Sequence, residues 1–220
     1  MVSVCIMEKI WIIGIGRFGW LAFQGLSRGK KARHFVLVDP SEENLLRCAA
    51  PNCFLEKGDG VTFLECNLNP GRGPGWIIPA LPIHLAAEWL LARLGSERFC
   101  RVIPPPEIKF LLPNPILGPE GNLYVSHADF MCPDDCAEPR DLCTVTGKRR
   151  EQNMFEILRG LRFPPFQTLV LRSHQLGPGI GGYRPQHLFH LLEQVERSKG
   201  PYLVSTACRC HGVVTAFERL

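Results

Sequence analysis

A chain of 220 residues, 45% hydrophobic and 21% charged, has ample apolar content for a packed core and belongs with neither disordered nor fibrous sequences. Its net charge of +4, with both signs interspersed, leaves no electrostatic footprint for nucleic acid or an anionic membrane. No apolar run reaches the roughly eighteen residues of a spanning helix, and the start lacks a small-residue cleavage site, so membrane insertion and export are both unexpected.

Residues 9–13 (KIWII) make a continuous apolar run suited to a strand buried on both faces. Met7 is an alternative start, because the segment MEKIWIIGIG enters that strand directly. A glycine turn follows, then a helix in which Phe18, Leu21, Ala22 and Leu26 recur at helical spacing. HFVLVD (34–39) is a second buried strand ending in an acid, and PSEENLLRCAA opens a helix with a proline in its first turn and acids next. CFLEKGD (53–59), GVTFLECNL and GWIIPALP (75–82) read as strand, short helix and strand. IHLAAEWLLARLG (83–95) is the clearest helix, closed by arginine and Gly95, and FCRVI (99–103) is expected as a fifth strand.

This alternation predicts an α/β fold, a Rossmann-like parallel sheet with helices on both faces, over residues 1–104. Pro104, Pro105, Pro106, Pro113, Pro115 and Pro119 then mark an irregular, Pro- and Cys-rich insertion, 105–165. Regular structure returns at 166–220: a strand FQTLVLRSHQL (166–176), a second glycine turn GPGIGGY, a helix PQHLFHLLEQVERSKG, and a long bent strand or a hairpin turning near Gly212. These C-terminal strands either complete the sheet or form a small second domain.

The first turn holds Gly14, Gly16 and Gly19 in the spacing G-x-G-x-x-G between a strand and a helix. In that spacing the first glycine makes the turn, the second lets backbone approach a pyrophosphate, and the third lets the helix pack on the strand. The amides and dipole of the new helix then hold the phosphates. Asp39 lies 23 positions beyond Gly16, where a ribose-binding carboxylate is expected, and an acid there favours NAD(H) over NADP. The competing reading is a Rossmann-like turn without a ligand; strand, glycines and acid together favour binding.

IIGIGRFG, then VLVDPSEENL, then FLEKGD resembles the NAD-binding regulatory domains of bacterial potassium uptake systems and conductance regulators. The resemblance covers residues 8 to about 65. It implies a nucleotide cleft lined by Gly14, Gly16, Arg17, Phe18, Gly19, Asp39, Gly58 and Asp59, with Asp59 near the adenosine end. The next strand leads into PALPIHLAAEWLL, which departs from that family, so a partner potassium channel does not carry over.

The insertion crowds Cys132, Cys136 and Cys143 into twelve residues behind His127, giving H-x4-C-x3-C-x6-C. Thiolates and an imidazole at short loop spacings suit a tetrahedral metal site, and Cys208, Cys210 and His211 would join if the last strand folds back. Cys208 and Cys210, two apart in a strand, would share a face. Zinc or an iron–sulfur cluster both fit these residue types, while reduced structural thiols are the alternative. Asp129, Asp134, Asp135, Glu138 and Asp141 are expected to solvate the loop. The scattered Cys5, Cys48, Cys53, Cys66 and Cys100 read as buried small hydrophobes.

The second glycine turn, with Arg184, is either an anion-holding loop or a flexible turn. His174, at the end of its strand, is a weak catalytic candidate; His187 and His190 share a helical surface face. No hydrolase motif is present. Three functions fit: a cytoplasmic NAD-binding sensor of nucleotide or redox state with a metal or thiol element, an NAD-dependent oxidoreductase using a metal or His174, or a metal-stapled assembly protein. Expected partners are a dinucleotide and, as open alternatives, a membrane transporter, a redox protein or a second copy in a homodimer.

Overall fold

The computed structural model describes residues 7–29 and 31–220; Cys5 and a start at Met1 lie outside them. The chain begins β1 (Glu8–Ile13), α1 (Arg17–Ser27), β2 (Arg33–Asp39), α2 (Glu42–Leu46), β3 (Cys53–Lys57), α3 (Gly60–Asn67), β4 (Trp76–Pro79), α4 (Leu85–Leu94). The four strands form a parallel sheet in the order β3-β2-β1-β4. Ile10, Ile12, Ile13, Phe35, Leu37 and Val38 are buried, because helices cover both faces; this is why the strands read as unbroken apolar runs.

The buried stripe of α1 is Gly19, Ala22, Phe23 and Leu26; Ala22 and Leu26 are buried as expected, whereas Phe18 and Leu21 are exposed and Phe23 takes their place. Gly19 has to face the turn, and its i+3, i+4 and i+7 neighbours then set the phase of the helix. Pro40 precedes α2 and does not enter its first turn; Ser41 is the cap, its hydroxyl accepting from the Asn44 amide at 3.3 Å. Gly95 ends α4 at φ +87°, as expected of a glycine C-cap.

The remaining elements are β5 (Phe99–Val102), β6 (Ile116–Leu117), β7 (Leu123–Ser126), α5 (Met154–Gly160), β8 (Gln167–Arg172), β9 (His174–Gly177), β10 (Ile180–Gly182), α6 (Pro185–Arg197), β11 (Tyr202–Ala207) and β12 (His211–Arg219). They build a second sheet, β6-β7-β12-β11-β8, with β5 paired to the end of β12. The strand expected as fifth in the first sheet therefore belongs to the second, where Phe99 packs on Phe217 and Tyr202 at ring separations of 6.1 and 6.5 Å. The expected strand 166–176 is two strands, broken at Ser173, whose amide donates to the Ala207 carbonyl at 2.8 Å. The hairpin β9–β10 lies along the edge of β4 through paired Ile77–Tyr183 backbone bonds of 2.9 and 3.0 Å.

Three cores layer the molecule. Residues of α1 and α2 cover one face of the first sheet, together with Ile180. Residues of α3, α4 and α6 fill the space between the two sheets, where Trp11 and Ile77 meet the same cluster as Val204 and Phe217. On the far side of the second sheet, α5 buries Met154, Phe155 and Leu158. Among the described residues no helix is long and apolar enough to cross a membrane.

Candidate functional site

The glycine turn closes tightly on the sheet. Gly14 has φ +91°, its amide donates to the Val38 carbonyl at 2.8 Å, and a Cβ there would meet the Ala80 carbonyl at 2.8 Å. A Cβ on Gly19 would stand 1.9 Å from the Gly14 carbonyl. Packing of the protein on itself thus accounts for both residues. Gly16 differs: its φ is −69°, open to any residue, and no atom lies within 4 Å of where its Cβ would be. It caps α1 without a side-chain bond, ahead of first-turn amides that have no acceptor within the helix.

Asp39 is buried, and its carboxylate points into the protein. Oδ2 accepts from the Ile15 amide at 2.6 Å; Oδ1 accepts from the Ser41 amide at 2.8 Å and the Asn44 side chain at 3.1 Å. Its carbonyl also takes the Gly58 amide at 3.1 Å, so Asp39 ties the glycine turn, α2 and the end of β3 together. Asp59 caps α3, accepting from the amide and hydroxyl of Thr62 at 2.8 and 3.0 Å. Arg17 and Phe18 project outward beside the turn.

The tip of β9–β10 reaches this same edge, since β10 runs antiparallel to β4. The second glycine turn seats the cysteine loop there: the Gly179 amide donates to the Cys136 carbonyl at 2.9 Å, and the Gln175 side chain donates to it at 2.6 Å. A Cβ on Gly179 would lie 1.7 Å from the Asp134 carbonyl. Arg17 forms an ion pair with Asp134. Arg184 stacks over the Trp76 ring at 4.5 Å. Asp134, expected to solvate its loop, instead joins that loop to the glycine turn.

Three segments deliver the thiols. Cys132 and Cys136 lie in the proline-stiffened loop. Cys143 opens a small hairpin in which Leu142 pairs with Arg149, and hydrogen bonds from Thr146 and Val145 hold its thiol below the usual range. Cys208 and Cys210 occupy the tight turn between β11 and β12, not a strand: Ala207 pairs with Gly212, and the Cys208 amide donates to the His211 carbonyl at 2.9 Å. They therefore do not share a strand face. The Cys208 sulfur accepts from the Cys210 and His211 amides at 3.4 and 3.3 Å. Burial, then Glu138, push this thiol up to about 12.

Cys132, Cys136, Cys143, Cys210 and His127 line one cavity of about 500 Å³. Arg150 spans it, donating to the Cys210 sulfur at 2.8 Å and to the Pro139 and Arg140 carbonyls at 3.1 Å. Burial raises the Cys132 thiol, helped by its neighbours Cys136 and Cys143; burial also raises Cys210, to about 11. His211 Nε2 lies 3.5 Å from the Cys132 sulfur. Burial, then Arg150, lower His127. Among the described residues no three His, Cys, Asp or Glu side chains stand close enough to hold a single ion. Glu138, another residue read as loop solvation, is buried and accepts the Arg209 amide, fastening the loop to the β11–β12 turn.

His174 begins β9 at the end of β4 opposite the glycine turn. Its ring lies 5.8 Å from Trp76 and 6.2 Å from His187, and with His187 and His190 it lines a separate cavity of about 480 Å³. Burial, followed by Arg172, lowers it. Of the scattered cysteines, Cys48 is buried, Cys53 and Cys100 are partly buried, and Cys66 is exposed.

A family profile described as "Uncharacterized protein, C-terminal domain" (AF_1314_C) matches residues 86–220. An "Uncharacterized protein" of Archaeoglobus fulgidus is 31% identical over 220 residues, spanning 94% of this chain and 98% of that one. No solved structure matches the chain.

Proposed function

The chain belongs to the AF_1314_C family, and within it we propose a cytoplasmic NAD(H)-binding protein that senses nucleotide or redox state, its cysteine-lined cavity serving as the metal or redox element. One observation carries the reading: Gly16 is a glycine that internal packing does not require. The open space above it faces the first-turn amides of α1, where a pyrophosphate is held in dinucleotide folds. Asp39, expected to meet the ribose, instead shapes that turn from within the protein through the bond its carboxylate accepts from the Ile15 amide.

Arg17 supplies the link between the two halves. A phosphate reaching the turn competes with Asp134 for the guanidinium, so occupancy of the turn loosens the cysteine loop. Sensing accounts for this connection better than hydride transfer to a substrate does, because His174 stands at the far end of β4 and reaches no part of the turn. Calorimetric titration of NAD⁺ and NADH into the purified protein and into Gly16→Asp tests the reading.

A further inference from the structure

We propose that the cavity beside the β11–β12 turn holds an iron–sulfur cluster ligated by Cys132, Cys136, Cys143 and Cys210. The inference deepens the metal-or-redox part of the proposed function and is independent of nucleotide binding at the glycine turn. Two segments far apart in sequence, residues 132–143 and the β11–β12 turn, bring thiols to one space. That convergence is not what scattered structural cysteines would show.

Size separates the candidates. A single zinc ion, with sulfurs about 2.3 Å from the metal, needs its thiolates within about 3.8 Å of one another. No such group is assembled among the described residues. The cavity, about 500 Å³, is on the order of fifteen water volumes and calls for a larger occupant. A cluster places iron and sulfide between the thiolates and so spans ligands that no lone ion could bridge.

The surroundings suit four thiolates. The Cys136 sulfur accepts from the Glu138 amide at 3.4 Å, and Cys210 accepts from Arg150 at 2.8 Å. Lys148 and Arg149 also line the space, offsetting the negative charge that gathers as each thiol releases its proton on binding. Hydrogen bonds and cations of this kind tune a cluster's potential. Cys208 is excluded from the set because it does not line the cavity.

The test is anaerobic reconstitution of the full chain with ferrous iron and inorganic sulfide. The expected product is brown, with broad visible absorbance and equal amounts of iron and acid-labile sulfide. Cys132→Ser, Cys136→Ser, Cys143→Ser and Cys210→Ser each lose most of that absorbance, whereas Cys208→Ala and Cys66→Ser keep it. Wild-type protein that stays colourless while taking up stoichiometric zinc overturns the proposal. So does equal loss of absorbance in Cys208→Ala and Cys210→Ser. The wild-type result needs no variant to fold, and circular dichroism shows whether a silent variant is folded. A brown protein that ignores NAD⁺ strikes the glycine-turn reading alone; a colourless one that binds NAD⁺ strikes this inference alone.

Discussion

Arg17, the first residue of α1, pairs with Asp134 of the cysteine loop across 117 positions of sequence. The Gly179 turn lies against the same loop, so three segments meet where the glycine turn opens. The two glycine turns have different work. One faces open space; the other is filled by the loop it supports.

The glycines of the first turn should respond unequally to alanine. Gly19→Ala forces a Cβ to within 1.9 Å of the Gly14 carbonyl and should cost about 1–3 kcal/mol, more than the roughly 1 kcal/mol that alanine adds to a helix. Gly16→Ala meets no atom and should cost only the loss of a better helix cap, about 0.5–1 kcal/mol. Urea unfolding of both variants checks the contrast. Equal losses would mean that Gly16, too, is held by packing.

Gly179→Ala should unseat the cysteine loop. At φ +69°, with the Asp134 carbonyl 1.7 Å from the new Cβ, the loop has to move, at a cost of about 1–3 kcal/mol. Arg17→Ala removes only an ion pair whose arginine is mostly exposed, worth at most about 1 kcal/mol. Hydrogen exchange across 132–143 should rise strongly in the first variant and slightly in the second. The reverse order would assign the seating of the loop to Arg17.

His84 makes stability depend on pH. Its imidazole is buried between two threonines, Nδ1 2.8 Å from Thr215 Oγ1 and Nε2 2.8 Å from Thr206 Oγ1. The Thr215 hydroxyl spends its hydrogen on Asn122, so it accepts from Nδ1–H, and Nε2 takes the Thr206 hydrogen: a neutral ring. Burial, followed by nearby Arg101, holds its pKa from 6.5 down to about 3. A depressed histidine adds stability that is complete above about pH 6.5 and is lost as pH falls toward about 3, because only the unfolded ring takes the proton. Lowering the pH from about 7.5 to about 5 should therefore remove roughly 2 kcal/mol through this residue. Nitrogen NMR of the ring should show the neutral Nδ1–H form until the protein unfolds. A ring that titrates in the folded state near the usual value contradicts the network.

What could be read beforehand follows from how local each determinant is. The parallel strands, the glycine turn and the Gly95 cap depend on near neighbours, and their residues announce them. The phase of α1 is not legible locally, because Phe18 and Leu21 fit a helical stripe as well as Phe23 does; only the demand that Gly19 touch Gly14 decides between them. Strand β5 looks like its predecessors, yet pairing with β12 from the chain end captures it. Neither Asp134 nor Glu138 carries any sign that its partner is Arg17 or the Arg209 amide. The Cys208–Cys210 spacing suits a strand as readily as the three-residue connection between β11 and β12 that it occupies.

The central claim is that the space above Gly16 receives a dinucleotide phosphate, and calorimetric titration of NAD⁺ into wild type and Gly16→Asp tests it most directly. Aspartate is a favoured helix cap, so the variant should melt as the wild type does while placing a carboxylate where the phosphate would sit. Saturable binding by wild type that is abolished in the folded variant is the expected result. No binding by wild type, or undiminished binding by Gly16→Asp, would contradict it.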